Sequence, residues 1–300
     1  MFYYSAGNYY KERFGEKIYR LSLPGGKTCP NRDGRIGSRG CIFCSAGGSG
    51  EFAPSPGLSY PEQLEFAKRL VRDKAGRRFT AYFQSFTSTY GDVDEMYRRF
   101  SFFAHQEEIA ALSIATRPDC LPPDVMELLA RINKIKPVYI ELGLQSIHAS
   151  TAEYIRRGYD TAVYDDAVER LKNAGLPVIA HVILGLPFET KEQMYETVSH
   201  VAKSRIHGIK LQLLHVIAGT DLEKDYLSGK FSVLSMEEYI GILGHCVELL
   251  PEDMVIYRLT GDGDKRSLVA PLWSGNKKAV LGAVNRYFRD NDITQGRKFL

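Results

Sequence analysis

Three cysteines crowd one short stretch, Thr28-Cys29-Pro30-Asn31-Arg32-Asp33-Gly34-Arg35-Ile36-Gly37-Ser38-Arg39-Gly40-Cys41-Ile42-Phe43-Cys44, with the spacing C-x11-C-x2-C. Thiolates are soft ligands, which makes zinc and iron-sulfur clusters the candidates. A structural zinc site needs four protein ligands, and the first histidine in the chain is His105, so zinc here would be one ligand short. A cubane cluster held by three thiolates leaves one iron without a protein ligand, and that open iron is free to bind a substrate or cofactor. Gly34, Gly37 and Gly40 would let the backbone wrap such a cluster closely. Of the two other cysteines, Cys120 reads as a thiol near the same site and Cys246 as apolar packing, too few for a second cluster held by thiolates alone.

Ligands on a loop need a scaffold to aim them. Strand-like runs recur at Lys17 to Leu23, Phe79 to Gln84, Ile109 to Ala115, Val138 to Leu144, Val178 to Leu184 and Ile209 to Val216. Amphipathic helix-like stretches lie between them at Pro61 to Asp73, Asp92 to Phe103, Pro123 to Asn133, Thr161 to Asn173 and Lys191 to Lys203. Six βα units in a row predict an α/β fold with a parallel sheet, doubly wound or curled into a partial barrel. In either, ligands gather at the carboxyl ends of the strands, and the cysteine loop follows the first of them. An apolar helix at Met236 to Leu250, a short strand at Met254 to Leu259, a Gly-rich loop at Thr260 to Asp264 and a basic helix at Asn276 to Asp290 complete the chain. The expected division is an N-terminal extension over 1–16, a barrel over 17–235 and a packed C-terminal α/β appendage over 236–300.

Composition narrows the class. With 44% hydrophobic and 25% charged residues among 300, the chain is not a disordered tail protein. It has neither an apolar run long enough for a membrane span nor a secretory head, so the expected location is the reducing cytoplasm, where free thiols persist. The net charge of +3 hides an asymmetry: residues 1–50 hold 8 Lys/Arg against 3 Asp/Glu, and residues 258–300 hold 9 against 4. Basic ends around an acidic middle make a footprint for a polyanion.

The cysteine loop, with Phe43 before its last cysteine, resembles the cluster motif of the radical S-adenosylmethionine superfamily. The whole chain looks like a small bacterial family related to the Elongator catalytic subunit and oxygen-independent coproporphyrinogen oxidase. That resemblance implies a partial (β/α)6 TIM-like barrel and a [4Fe-4S] cluster on Cys29, Cys41 and Cys44. It further implies S-adenosylmethionine chelated to the open iron and cleaved to a 5′-deoxyadenosyl radical. By the same resemblance Gln84 and Ser85 stand where relatives contact the methionyl amino group. Gln145 inherits a ribose contact, Arg157 a contact to the cofactor carboxylate, and His181 a second ribose contact. Gly185 lets adenine approach the backbone, and Arg117, in Thr116-Arg117-Pro118, points at the site. The relatives' glutamate before Thr-Arg-Pro is Ala115 here, so its carboxylate is absent or moved. Asp119 reads as a cap for the next helix.

Substrate signals are thinner. Phe2, Tyr3, Tyr4, Tyr9, Tyr10 and Phe14 interleave with Lys11, Arg13 and Lys17, a composition suited to base stacking beside phosphates, though aromatics packed over the barrel would read the same. Arg258, Lys265, Arg266, Trp273, Lys277, Lys278, Arg286 and Arg289 would extend a tRNA surface. The Elongator resemblance suggests a wobble uridine in tRNA as substrate and a low-potential donor such as flavodoxin or ferredoxin as partner. Oxidation or rearrangement of a small metabolite and a non-catalytic iron-sulfur redox sensor are the alternatives. The Gln145, Arg157 and His181 set speaks against the sensor, which has no need of a cofactor cradle. His215 and the loop at Leu259 to Lys265 receive no role, and the loop lacks the spacing of a phosphate-binding Walker motif.

Overall fold

The computed structural model describes every residue except Met1, Ser49, 73–76, Asp262, Asp264 and Leu300. Helix α1 (Ala6–Phe14) precedes strand β1 (Tyr19–Leu23), and alternation then carries the chain through α2 (Tyr60–Arg69), β2 (Phe79–Phe83), α3 (Val93–Ala104), β3 (Ile109–Thr116), α4 (Pro123–Asn133) and β4 (Val138–Gln145). It continues through α5 (Ala149–Tyr154), α6 (Thr161–Asn173), β5 (Val178–Leu184), α7 (Lys191–Lys203), β6 (Gly208–Leu213), β7 (Val216–Ile217) and α8 (Asp221–Leu227). The last elements are α9 (Met236–Glu248), β8 (Val255–Arg258), β9 (Leu268–Ala270) and α10 (Lys277–Asp290). Asp73, the expected end of the second helix, and Asp262 and Asp264 of the Gly-rich loop lie outside the described residues.

Local chemistry explains the boundaries. Capping boxes at Ser59/Glu62, Thr190/Gln193 and Ser235/Glu238 start α2, α7 and α9, while the Asp92 carboxylate accepts from the Glu95 amide and starts α3. Asp92 is thus the cap and not the first turn of α3. The strands are near-continuous apolar runs because helices cover one face and the barrel interior the other, as a parallel sheet requires.

Seven strands form one parallel sheet in the order β1-β2-β3-β4-β5-β6-β8, so the short strand expected in the C-terminal appendage joins the barrel beside β6. The main core lies between the sheet and its outer helices. A second cluster fills the bottom of the concave face, where Ala110, Ala111, Tyr139, Ile179, Val255 and Tyr257 from four strands meet Tyr10 and Ile18. Helix α1 closes that end as a plug. The Tyr9 and Tyr139 hydroxyls lie 2.7 Å apart, the Tyr10 ring packs edge-on against Tyr139 and Tyr257, and His207 reaches the Tyr257 hydroxyl at 2.8 Å.

This packing decides the reading of the N-terminal aromatics. Tyr4, Tyr9, Tyr10 and Phe14 belong to the plug, and the Phe2 and Tyr3 rings stand edge-on to Phe288, so they are core and not a base-stacking surface. Burying a tyrosine removes about 150–250 Å² from water, several kcal/mol of driving force that an exposed stacking platform would forfeit. Trp273 is likewise structural, its indole N–H donating to the Leu234 carbonyl at 3.1 Å, whereas Lys265, Arg266, Lys277, Lys278, Arg286 and Arg289 are exposed.

Two outcomes follow from the plug. Tyr10→Ala should destabilise the fold by about 3 kcal/mol, read as a lowered urea midpoint. Burial pushes the His207 imidazole down to about 4, below its ordinary 6.5, so it is neutral when folded and takes up a proton on unfolding. Its contribution is complete above pH 6.5 and is lost as pH falls toward 4; the urea midpoint should therefore drop less steeply over that range in His207→Asn.

Candidate functional site

The loop after β1 brings Cys29, Cys41 and Cys44, all half-buried, to one cavity at the carboxyl ends of the strands. Its shape is held by its own polar side chains. The buried Asn31 amide donates to the Arg156 carbonyl at 2.7 Å, the Arg157 carbonyl at 3.1 Å and Cys41 Sγ at 3.5 Å. Arg32 donates to the carbonyls of Cys44 and Ser45 at 3.0 and 2.6 Å, tying the segment after Cys29 to the segment after Cys44. Gly40 takes φ +75°, and a Cβ there would meet the Arg32 guanidinium at 2.9 Å, so this position requires glycine. The Ile42 amide donates to Ile155 and its carbonyl accepts from Leu222, fastening the loop to two helical segments.

The donor set suits an iron-sulfur cluster. All three cysteines line the same cavity, and among the described residues no three His, Cys, Asp or Glu side chains converge closely enough for one ion. In a cubane each cysteine binds a different iron, which matches ligands arranged around a void and not on a point. Burial first, then neighbouring Cys44, push the free Cys41 thiol up to about 11 against the opposing pull of Asn31. Binding metal at this site therefore releases protons.

At the rim, Phe43, Gln84, Arg117, Gln145 and Arg157 line the cavity; Ser85 and Gly185 do not. The Ser85 hydroxyl accepts from the Gly25 amide at 2.8 Å and so braces the cysteine loop. Gly185 sits at φ +86°, where a Cβ would meet Leu234 at 2.9 Å. Gln145 adopts φ +62° at the bulge that ends β4, a conformation held for a non-glycine residue only when its surroundings impose it. The Tyr159 hydroxyl supplies that constraint, donating to the Gly143 carbonyl at 2.9 Å and lying 3.4 Å from Gln145 Oε1.

The two arginines are committed to the chain. Arg157 donates from Nε to the Tyr159 carbonyl, from Nη1 to those of Leu144 and Ser146, and from Nη2 to Thr161 Oγ1, so each of its nitrogens has a protein acceptor. It fixes the turn that ends β4. Arg117 forms a two-point pair with Asp119, at 2.9 and 2.7 Å, and donates to the Arg157 carbonyl at 2.9 Å. Asp119 is thereby an arginine partner and not a helix cap, since Pro122 occupies the cap of α4.

The floor of the cavity holds a charged group that sequence reasoning passed over. Glu141 is fully buried; its Oε1 accepts from Ser113 at 2.6 Å, and its Oε2 from His181 Nε2 at 2.7 Å and from Lys210 Nζ. Lys210 also donates to the Tyr82 hydroxyl at 3.1 Å, and Arg20 lies over the Tyr82 ring. Burial alone would raise the Glu141 carboxyl, but Lys210, His181 and Arg20 together hold it well below the ordinary range and ionised. Burial and the Lys210 charge push His181 down to about 4, leaving its imidazole neutral. Ala115 pairs in register with Glu141, so the carboxylate missing before Thr116 has a counterpart one strand over. The available signal was a lone charge inside each apolar strand, Glu141 in Ile140-Glu141-Leu142 and Lys210 in Ile209-Lys210-Leu211.

Cys120 faces a neighbouring cavity with Pro30, Tyr90 and Asp119, and burial pushes its thiol up to about 12. The described glycines of the 259–265 loop, Gly261 and Gly263, close over the His215 ring, which an added Cβ would meet at 2.4 and 2.7 Å.

Known proteins agree with this geometry. The chain matches the Radical SAM superfamily over residues 31–201 and the Radical_SAM C-terminal domain over residues 206–290. The protein YtqA of Bacillus subtilis is 39% identical over 298 residues, covering 99% of this chain and 92% of its own. The tRNA uridine(34) acetyltransferase of Methanocaldococcus jannaschii is 27% identical over 193 residues, 63% of this chain and 34% of its own. The structure of Methanocaldococcus infernus Elp3 aligns with TM-score 0.69 at 17% identity over 93% of this chain; the chain spans 65% of that structure, and the likeness is one of fold. With that match over more than half its length, and with Cys29, Cys41 and Cys44 at one cavity at the strand ends of a parallel half-barrel, the chain belongs to the radical SAM superfamily of enzymes.

Proposed function

We propose that this radical SAM enzyme cleaves S-adenosylmethionine reductively and acts on a wobble uridine of tRNA. The observation that carries the first half is the convergence of Cys29, Cys41 and Cys44 on one cavity at the strand ends. The second half is supported by the similarity to a tRNA uridine(34) acetyltransferase and by the exposed basic residues Lys277, Lys278, Arg286 and Arg289 of α10.

When bound, a [4Fe-4S] cluster and S-adenosylmethionine supply an electron and a sulfonium whose cleavage yields a 5′-deoxyadenosyl radical. The chain's own work is to hold and exclude. Cys29, Cys41 and Cys44 bind iron as thiolates, and the Asn31 and Arg32 latches keep them in place. Gln84 and Gln145 line the rim of the cavity where the cofactor's polar groups would lie. Arg157 shapes that rim through backbone carbonyls; its bonds to described residues use four of its five N–H donors, and the fifth, on Nη2, is left to meet the cofactor carboxylate. The plug of α1 closes the lower end of the concave face against water, which helps protect a reactive radical. A low-potential donor such as flavodoxin or ferredoxin supplies the electron, in a reducing cytoplasm that keeps the thiols available.

Anaerobically reconstituted protein given dithionite and S-adenosylmethionine should release 5′-deoxyadenosine, and Cys41→Ala should lower both bound iron and product at least tenfold; equal product from the variant sinks the cluster assignment. Nucleoside mass spectrometry of tRNA from a strain lacking the protein should show an altered wobble uridine. Binding of tRNA should weaken with salt, and neutralising Lys277 and Lys278 should reduce the slope of log K against log salt by about 2. An unchanged nucleoside profile counts against tRNA as substrate.

A further inference from the structure

Two polar atoms on the cavity floor are left open by the chain. His181 and Gln212 both line the cavity, as diagonal neighbours on adjacent strands: His181 pairs with Lys210, and Gln212 is two residues further along β6. Glu141, being ionised, only accepts hydrogen bonds, so the His181 nitrogen facing it must carry the proton. In the neutral ring Nδ1 is then a lone-pair acceptor. Arg258 only donates, and it contacts Gln212 at Oε1 across 3.2 Å, which leaves the Gln212 Nε2 amide as a donor. Neither His181 Nδ1 nor Gln212 Nε2 bonds a described residue, and neither is among the buried polar atoms lacking a partner, so both open on the cavity.

An acceptor beside a donor is complementary to a planar edge that sets an N–H beside a carbonyl. We propose that His181 Nδ1 and Gln212 Nε2 form a recognition subsite for such an edge of the substrate, with Glu141 the positioning residue that gives His181 its acceptor polarity. Resting on the tRNA reading above, the edge is the imide of the wobble uracil, its N3–H to His181 and an adjacent carbonyl to Gln212. His181 lies three residues before the end of β5, about 10 Å down the strand from its carboxyl end, so the base must leave its stack to reach it. This places His181 on the substrate and not on the cofactor ribose.

The test uses anaerobically reconstituted protein and an anticodon stem-loop RNA carrying either uridine or N3-methyluridine at the wobble position. Methylation removes the N–H, and wild type should bind the methylated RNA about tenfold more weakly, the size expected for losing a paired polar contact. His181→Phe and Gln212→Leu should each erase that preference while S-adenosylmethionine affinity, measured by calorimetry, stays within threefold of wild type. Two-bond ¹⁵N spectra of histidine-labelled protein should show His181 as the Nε2–H tautomer, shifted toward Nδ1–H in Glu141→Gln, whose amide can donate where the carboxylate accepts. A preference that survives in both His181→Phe and Gln212→Leu, variants that lose cofactor affinity instead, or an Nδ1–H tautomer in wild type each overturn the subsite. RNA that binds with equal affinity in both forms overturns the subsite and leaves the tRNA reading standing. Failure to bind RNA together with unaltered tRNA nucleosides in the deletion strain removes that reading, and the uracil subsite with it.

Discussion

The Glu141 carboxylate is the constraint around which the interior of this barrel is organised. An isolated carboxylate cannot be sealed in a protein, because its desolvation costs several kcal/mol. Here it is tolerated because β3 brings Ser113, β5 brings His181 and β6 brings Lys210 to its two oxygens. Each partner comes from a different strand, so the group forms only when the parallel register is correct. Replacing these residues with apolar ones of similar volume would be no less stable by general experience with buried ion pairs. Their presence on the floor of a reactive cavity is better explained by the polarity they impose on it.

The loop above depends on a comparable economy of polar contacts. Asn31 and Arg32 are not ligands, yet they hold the two halves of the cysteine segment together through backbone carbonyls. Arg157 and Arg117 do the same for the ends of β4 and β3. Side chains chosen for charge in a sequence pattern turn out to act largely by hydrogen bonding to the main chain.

The alternation of elements and the cysteine site were legible because each is a local property. Thr161 to Asn173 forms a helix with the expected ends, and the three cysteines need only short-range spacing to be recognised. The floor was not legible, since Glu141, His181 and Lys210 lie 40 and 69 residues apart and only sheet register joins them. The aromatic N-terminus failed for a related reason. A sequence of tyrosines among cations suits stacking on a base and stacking on Tyr139 and Tyr257 equally well, and only the tertiary packing decides. Arginine was the least transparent type, as its five donors accept any nearby carbonyl and sequence does not reveal which.

The plug joins distant parts of the chain. The Tyr4 carbonyl accepts from the Ile256 amide, and the Tyr4 amide donates to Gln295, whose own amide bridges Pro251 and Met254. Helix α1 precedes every strand of the sheet, yet β8 and the Gln295 segment that hold this end of the chain lie more than two hundred residues downstream. During translation the lower opening of the nascent barrel must stay unsealed, its tyrosines available to chaperones, until β8 and the Gln295 segment arrive. The cavity at the mouth thus gains its closed floor only once β8 has been made.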